Sequence, residues 1–338
     1  MVGKEKKRSI IITPEEFHYL RILQQDGGNV SVEHVRDRMA ISRSSADKYR
    51  NCLAEKGLLS QKGNKINVNH SCYLGISVKD ESINMTFISL DGNILPWDNA
   101  DLTIKLDDNS IESIVNACGK IKSIIDVANK SKKVLGVCFS FDDVDKEKEI
   151  FYISDEKHYK FSDFVKFLFG EYKNIHFSLS SNVMSMLVAQ EYPFKKSEND
   201  RVCIMQTQNG VYAGEISNNK IKYGFNKQTH NISALLDDVL LEKLSANELT
   251  GQERIKIYEI IVNNYMIISN PERISILIPE EVEEKDCGKF IFYMNDKYNR
   301  NGIRNYSPDI IFAHESIISY GAAISAMYYA FGWDESMI

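Results

Sequence analysis

The stretch from Tyr73 to Leu95 reads YLGISVKDESINMTFISLDGNIL. Apolar residues alternate with polar ones on both sides of a short polar break, a pattern typical of two strands joined by a tight turn. The predicted turn is Lys79, Asp80 and Glu81. Its two carboxylates would repel a polyphosphate, and it lacks the glycine that lets a backbone close around one. The sequence therefore predicts a hairpin that serves as scaffold and does not hold phosphate.

Length and charge indicate how the rest of the chain is organised. At 338 residues the chain is too long for one ordinary hydrophobic core, so two or three domains are expected. Residues 1–70, the head, carry 13 Lys and Arg against 8 Asp and Glu, whereas the remaining residues, the body, carry 28 against 39. A basic head on an acidic body favours a polyanion partner for the head only.

Cysteine usage and the N-terminal residues favour a cytoplasmic protein without a metal site. The six cysteines are scattered singly, with neither a CxxC pair nor a Cys/His cluster at metal-ligand spacing. The first ten residues include basic ones, but no apolar stretch follows them, unlike a secretory signal. The uncharged segment 316–333 is short for a membrane span and holds several serines, glycines and tyrosines. It predicts a buried helix instead.

The start of the head predicts a helix with complete end signals. Thr13 can cap it, Pro14 occupies the first helical position, and Glu16 completes a capping box. Gly27 and Gly28 then end it. A second helix is expected after a serine at position 31 and a third after one at position 42, so that the head reads as helix, turn, helix.

The third helix and the segment behind it predict a DNA-binding surface. Ala46, Tyr49 and Leu53 share one face and point to a small core. The segment LLSQKGNKINVN reads as a hairpin turning at Gly63 and Asn64, the wing of a winged helix. Helical pairs also mediate protein contacts, but the wing and the basic excess favour DNA. The residues predicted to contact phosphates or base edges are Ser42, Arg43, Ser44, Ser45, Lys48, Asn51, Lys62 and Lys65.

Several motifs resemble the ROK family of repressors and sugar kinases. In the head, ISRSSADKYRNCLAEKGLL is similar to the family pattern LSxxTVSxIVxxLxxxGLV. In the body, the opening hairpin resembles LGIDIGGTSIKxxLxDLDGxIL, and KVLGVCFSFDDVD resembles xILGIGIGxPGxVD. RVCIMQTQNGVYAGEISNNKIKYGFN resembles the second phosphate hairpin, with turns at Asn209-Gly210 and Asn218-Asn219. The last segment, SPDIIFAHESIISYGAAISAMYYAF, also matches in order.

The resemblance implies an α/β fold of two parts. An N-terminal winged helix-turn-helix over residues 1–70 precedes a two-lobed actin-like ATPase (ribonuclease H-like) fold. The first lobe is expected over residues 71–190 and the second over 191–338, with a C-terminal helix, 316–331, that returns to the core.

The same resemblance implies that catalysis is lost. NIHFSLSSNVMSMLVAQEY is similar to PVxVENDANAAALAE and places Asn182 where family kinases carry the catalytic aspartate. An amide cannot accept a sugar hydroxyl's proton at neutral pH. Alternatively, Ser181 or Asn182 simply caps the next helix. The family's zinc loop, CxCGxxGCxE, has no counterpart, so neither metal nor cofactor is expected. If an interlobe ligand binds, the expected lining residues are Ser140, Ser181, Asn182, Asn209, His230 and Asn231.

Three functional hypotheses follow. The first is a homodimeric transcriptional regulator, expected from the resemblance to be a repressor, which binds an operator in double-stranded DNA and senses a sugar or other small metabolite. In the second, the body only dimerises or docks proteins and has no effector. The third is an active carbohydrate kinase, which is disfavoured because the acidic base and the glycine-rich turns are missing.

Overall fold

The head contains three helices that begin where their caps predict. The computed structural model describes residues 10–96, 102–154, 157–193, 200–207, 209–217, 220–222, 230–269, 271–278, 282–300 and 309–332. Thr13 and Glu16 form the predicted capping box, with bonds of 3.2 and 2.7 Å, and Ser31 and Ser42 cap the next two helices. The helices are α1 (Pro14–Gln25), α2 (Val32–Met39) and α3 (Arg43–Glu55).

The first lobe of the body is built on a five-stranded sheet. Its elements, in chain order, are β1 (Ser71–Lys79), β2 (Ser82–Ser89), β3 (Thr103–Lys105), α4 (Ile111–Ser131), β4 (Lys133–Phe141), β5 (Asp143–Asp145), β6 (Ile150–Ser154), β7 (Lys157–Lys160), α5 (Phe161–Phe169), β8 (His176–Ser181) and α6 (Asn182–Glu191). The sheet runs β3-β2-β1-β4-β8, with β1, β2 and β3 antiparallel and with β4 and β8 parallel to β1. Strands β5 to β7 form a small separate sheet.

The second lobe repeats this arrangement. Its elements are β9 (Arg201–Thr207), β10 (Gly210–Ser217), β11 (Lys220–Lys222), β12 (His230–Asn231), a 3₁₀ turn (Ser233–Leu235), α7 (Asp238–Ser245), α8 (Gly251–Ile268), β13 (Arg273–Leu277), α9 (Glu284–Arg300) and β14 (Asp309–Ala313). The last helix, α10 (Ser316–Ala330), returns to pack on the first lobe. The sheet runs β11-β10-β9-β13-β14, again an antiparallel hairpin and a third antiparallel strand followed by two parallel strands. The expected two-lobed α/β fold is therefore confirmed.

The opening segment forms the predicted hairpin, but its turn is one residue shorter than predicted because Lys79 belongs to β1. Val78 pairs with Ile83 and Lys79 pairs with Ser82, so that only two residues make the turn. Asp80 adopts a φ of +48°, a left-handed conformation that short polar side chains tolerate better than bulky ones. The turn therefore forms without the glycine that the family motif carries.

Helix α10 lies unusually close to both the first sheet and α6. A Cβ atom added at Gly75 on β1 would lie 1.9 Å from the carbonyl oxygen of Ser319, and one at Gly321 on α10 would lie 1.7 Å from that of Ser185 on α6. Neither distance leaves room for a side chain, so the two glycines set how near α10 packs. The helix ends one residue before the predicted position 331.

The head packs against the C-terminal half of α10. The ring of Phe17 on α1 meets that of Tyr328 edge-on, with centroids 5.1 Å apart. Gln24 Nε2 donates to the carbonyl of Leu90 at 2.8 Å, and the Tyr328 hydroxyl donates to Gln24 Oε1 at 3.3 Å. Buried side chains of the head and of α10 form one continuous apolar cluster. The head is therefore fixed to the body by packing as well as by the chain connection.

Two further predictions concern a membrane span and the turn at Asn218 and Asn219. Within the described ranges, the protein has no helix with the length and apolar character that a membrane crossing requires. The predicted turn at Asn218 and Asn219 lies outside the described residues.

Candidate nucleic-acid interface and interlobe cleft

The start of α3 is organised by a group of serines. Ser42 Oγ accepts a hydrogen bond from the backbone nitrogen of Ser45 at 3.2 Å and lies 2.9 Å from the hydroxyls of both Ser44 and Ser45. This cap fixes the helix N-terminus, where backbone N–H groups favour a phosphate. Ala46 and Leu53 are fully buried on the opposite face. The residues of the predicted DNA surface that are exposed on this helix or its cap are Ser42, Arg43, Ser44, Lys48 and Asn51.

Arg43 is held by acidic neighbours on the surface. Its guanidinium lies 3.3 Å from Glu33 Oε1 on α2 and 3.9 Å from Asp47 Oδ2 one helical turn away. The Arg43 side chain is 70% exposed and both carboxylates are about half exposed, so each pair contributes little free energy. A phosphate oxygen can therefore replace either carboxylate at low cost.

The wing is compact and tied to the rest of the head. Lys62 and Lys65 are exposed on either side of Gly63, whose φ is +84°. Asn64, predicted to lie at the tip, is instead buried: it accepts from the hydroxyl of Tyr19 at 2.8 Å and donates to the carbonyl of Val30 at 2.9 Å. The two lysines thus project from a turn that is anchored on its inner side.

A cleft of about 330 Å³ opens between the lobes at the turns of their two hairpins. The first lobe contributes its β1–β2 turn and β3, the second lobe contributes the end of β9 with α7 and α8, and Glu315 closes one side. Three carboxylates and three cations lie in its wall, so its charges are nearly balanced. The charged residues are Lys79, Asp80, Glu81, Lys105, Arg254 and Glu315.

Lys79 links the hairpin turn to the start of α10. Its buried Nζ contacts Asp80 and donates to Glu315 Oε1 at 2.7 Å. Burial alone lowers the pKa of Lys79, but the charges of Asp80 and Glu315 and their hydrogen bonds outweigh it, so the pKa is raised. The ammonium is therefore permanently charged and already neutralised by two carboxylates. It is not available to bind a nucleotide's phosphates.

Asn182 lies beside a buried carboxylate that the sequence reasoning did not identify as important. Its Nδ2 donates to Asp142 Oδ1 at 2.8 Å and to the carbonyl of Val78 at 2.7 Å. Its Oδ1 has no hydrogen-bond partner among the described residues. Burial, and next the charge of Asp80, raise the pKa of Asp142 to about 7. Asp142 follows β4 and Asn182 follows β8, and the carboxyl ends of neighbouring parallel strands meet at one sheet edge. That rule is the signal that could have found Asp142.

The other five residues predicted around a ligand are dispersed, and none of the six lines the cleft. Ser140 is fully buried, 2.9 Å from the hydroxyl of Ser185. Ser181 caps α6 and accepts from the nitrogen of residue 184 at 3.4 Å. Asn209 donates its amide N–H to a threonine hydroxyl at 3.1 Å in the β9–β10 turn. His230 and Asn231 pair with β10 at its outer edge.

Gln206 offers the cleft a buried acceptor that sequence reasoning missed. Its Nε2 donates to the carbonyl of Arg254 at 2.9 Å, whereas its Oε1 is buried with no hydrogen-bond partner among the described residues. An unpaired buried acceptor costs free energy that a ligand's hydroxyl or amine would recover. No pattern in the sequence marks Gln206, because its environment depends on the packing of α8 against β9.

Metal ligation finds no support in the described part of the chain, where no group of three or more His, Cys, Asp or Glu side chains could hold an ion. The six cysteines are all free, and five of them are buried.

Comparison with known proteins identifies the fold. No family model matches the chain, and no curated protein matches its sequence. Solved structures do match. A ROK family transcriptional regulator, a homologue of the E. coli MLC protein, is similar over 93% of this chain and 96% of its own, with a TM-score of 0.64 and 13% identity.

Two further structures match the body. A ROK family protein from Streptococcus pneumoniae in complex with sucrose covers 78% of this chain and 100% of its own, with a TM-score of 0.51 and 13% identity. A ROK hexokinase from Thermus thermophilus covers 75% and 97%, with a TM-score of 0.51 and 10% identity. The chain therefore has the fold of the ROK proteins, an actin-like ATPase body preceded by a helical N-terminal region.

Proposed function

We propose that this protein is a DNA-binding transcriptional regulator, a repressor, whose kinase-like body has no catalytic activity. The observation that carries the proposal is the exposed face of α3, where Arg43, Lys48 and Asn51 stand free of the head's core beside the wing lysines Lys62 and Lys65. Arginine and asparagine suit guanine and adenine edges in the major groove, and the lysines suit phosphates. The structural likeness to a ROK regulator over 93% of this chain, head included, supports the same function.

The body acts in this proposal as a dimerisation and sensing unit. A homodimer places two heads on one face, which matches an operator made of two half-sites related by two-fold symmetry. The cleft, with its nearly balanced charges and the unpaired Gln206 acceptor, fits a neutral polar metabolite such as a sugar better than a nucleotide.

Helix α10 provides a physical connection between cleft and head. Glu315, which precedes it, bonds Lys79 in the cleft at 2.7 Å, and Ser319 bonds Thr86 on β2 at 2.7 Å. Near the other end, Tyr328 contacts α1. The helix has 15 residues, which makes it about 22 Å long. A ligand that favours one position of this rigid helix would therefore shift the orientation of the head.

Asp142 favours the competing function, an active carbohydrate kinase. A carboxylate with a pKa of about 7 has the property expected of a general base. Against it, Asp142 is 7% exposed and its Oδ1 is already bonded to Asn182, and the buried ammonium of Lys79 in the cleft wall is neutralised by carboxylates. We therefore place Asp142 in the structural support of the cleft.

The test is a gel-shift titration of the purified protein against DNA from upstream of its own gene, at fixed salt and with competitor DNA. It is repeated with a panel of sugars and sugar phosphates. A specific complex that one compound releases supports the proposal in full, whereas a specific complex indifferent to every compound supports a body that only dimerises or docks proteins. Turnover of ATP with any sugar in a parallel coupled assay contradicts the absence of catalysis.

A further inference from the structure

The geometry points to Arg50 as the residue that positions the wing for DNA. The inference rests on the proposed DNA binding and deepens it, because it assigns a role to an arginine on α3 that does not itself read the DNA. In this role Arg50 holds the wing turn against α3 so that Lys62 and Lys65 reach phosphates on the duplex.

The guanidinium of Arg50 is surrounded by carbonyl oxygens of the wing. Its Nη2 donates to Ser60 O at 3.1 Å, to Gln61 O at 2.8 Å and to Gly63 O at 2.7 Å. Its Nε donates to Gly63 O as well, at 3.2 Å. Three carbonyls within four consecutive residues therefore converge on one cation. Gly63 has a left-handed φ of +84°, which glycine adopts without steric cost.

The base of the wing is held by the buried side chains of Leu59 and Ile66 and by backbone bonds such as Ser60 N to Lys65 O, whereas its tip depends more on side-chain contacts. Among the described residues no continuous ladder joins the two sides of the wing, which pair through the isolated bridge of Leu59 with Ile66, while Lys65 bridges to Asn29 outside the wing. A short hairpin of this kind is marginal in water on its own. Asn64 anchors the inner side of the turn to α1, and Arg50 anchors the side that faces α3. Without Arg50 the three carbonyls would hydrogen-bond to water instead, and the turn would be more mobile.

The contacts require an arginine. The guanidinium is a planar fork with five N–H donors, which can serve several acceptors at once in fixed directions. A lysine keeps the charge, but its single ammonium on a flexible stem cannot reproduce the bidentate contact with Gly63. A fifth contact, from Nη1 to Asn51 Oδ1 at 3.0 Å, also orients the side chain that the proposal assigns to base recognition.

The charge-conserving variant Arg50→Lys tests the inference directly. We expect its affinity for the operator to fall about tenfold at physiological salt, because two lysine–phosphate contacts become loose. The slope of log K against log salt should become shallower by about 1.8, which is about 0.9 for each lost phosphate contact. Arg38→Lys is the matched control, since Arg38 is an exposed arginine of the head that bonds Asp26 and not the wing. It should retain both affinity and slope.

A second background separates positioning from direct contact. In Asn51→Ala/Lys62→Gln/Lys65→Gln, where neither the wing lysines nor Asn51 remain to be positioned, adding Arg50→Lys should change the affinity less than about twofold. If Arg50→Lys keeps the wild-type affinity and salt slope, Arg50 acts only as a charge. If the substitution lowers affinity about tenfold in the triple-variant background too, Arg50 acts by another route. Either result overturns the inference.

A readout without DNA keeps the inference distinct from the proposed function. Hydrogen exchange of a peptide covering residues 58–66 should speed up about tenfold in Arg50→Lys, since the amide of Ser60 bonds Lys65 O at 2.9 Å within the wing. Peptides from α1 should be unchanged. If the wild type binds no DNA while this exchange increases, the DNA proposal fails and the positioning role stands. Unchanged wing exchange overturns the role in either case.

Discussion

The substitution Asp142→Asn tests whether the buried carboxylate beside Asn182 makes the protein's stability depend on pH. Asp142 is 7% exposed, and burial raises its pKa from the ordinary value of 3.8 to about 7. The folded state therefore holds this proton more tightly than the unfolded state does. The stabilisation is complete below about pH 4 and is lost as the pH rises through about 7. An asparagine keeps the acceptor for Asn182 but has no proton to lose.

The size of the effect follows from the two pKa values. A difference between 3.8 and about 7, at about 1.4 kcal/mol for each pKa unit, gives an upper limit of about 4 kcal/mol between pH 4 and pH 8. The protein around a buried carboxylate relaxes and admits water, which reduces this effect. We expect a change in the free energy of unfolding of at least about 1 kcal/mol. Relative to the wild type, the free energy of unfolding of the variant should therefore rise by at least about 1 kcal/mol as the pH is raised from 4 to 8.

The assay is urea unfolding of both proteins at pH 4, 5.5, 7 and 8.5, with the free energy of unfolding taken from the midpoint and the slope. Asp107→Asn, at an exposed carboxylate in the loop before α4, serves as control and should follow the wild type. A difference between Asp142→Asn and wild type that stays constant over the whole range would refute the reasoning, because it would mean that Asp142 does not titrate differently in the folded state.

Four further predictions test the head and its support. Lys48→Ala should weaken operator binding in gel shifts and make the salt slope shallower by about 0.9, with an unchanged melting temperature. Leu53→Ala, at a fully buried side chain of the head, should lower the free energy of unfolding by about 2–5 kcal/mol in urea titrations. Gly75→Ala should destabilise the body in the same assay, because its Cβ would lie 1.9 Å from a carbonyl of α10. Gln24→Ala should leave operator affinity near the wild-type value but reduce the response to an effector, and an undiminished response in gel shifts would exclude the contact with α10 as the connection.

Local sequence patterns determined most of the secondary structure. The capping box of Thr13 and Glu16, the serine caps of α2 and α3, and the polar turn at Asp80 act over three or four residues. Their effect needs no distant partner, and so the sequence was sufficient to predict them. The order of motifs along the chain also predicted the two-lobed fold, which the repeated sheet topology and the ROK neighbours confirm.

The sequence could not predict the detailed arrangement of the cleft. Asp142 and Asn182 are 40 positions apart, and Lys79 and Glu315 are 236 apart, yet each pair is in hydrogen-bond contact. Its place in a motif identifies Asn182, but the carboxylate beside it becomes evident only when β4 and β8 lie next to each other. Whether a polar residue lines the cleft, caps a helix or supports a neighbour depends on these long-range contacts.

The same division applies to the head. Its sequence determined three helices, a turn at Gly63 and a basic surface, because caps, helical periodicity and glycine preferences are properties of short segments. Only the tertiary structure decided that Arg50 bonds the wing, that Asn64 is buried against Tyr19, and that α1 packs on Tyr328 of the last helix. These contacts arise from the way the helices and the two lobes pack together, and the free energy of that packing is not encoded in any short stretch of the chain.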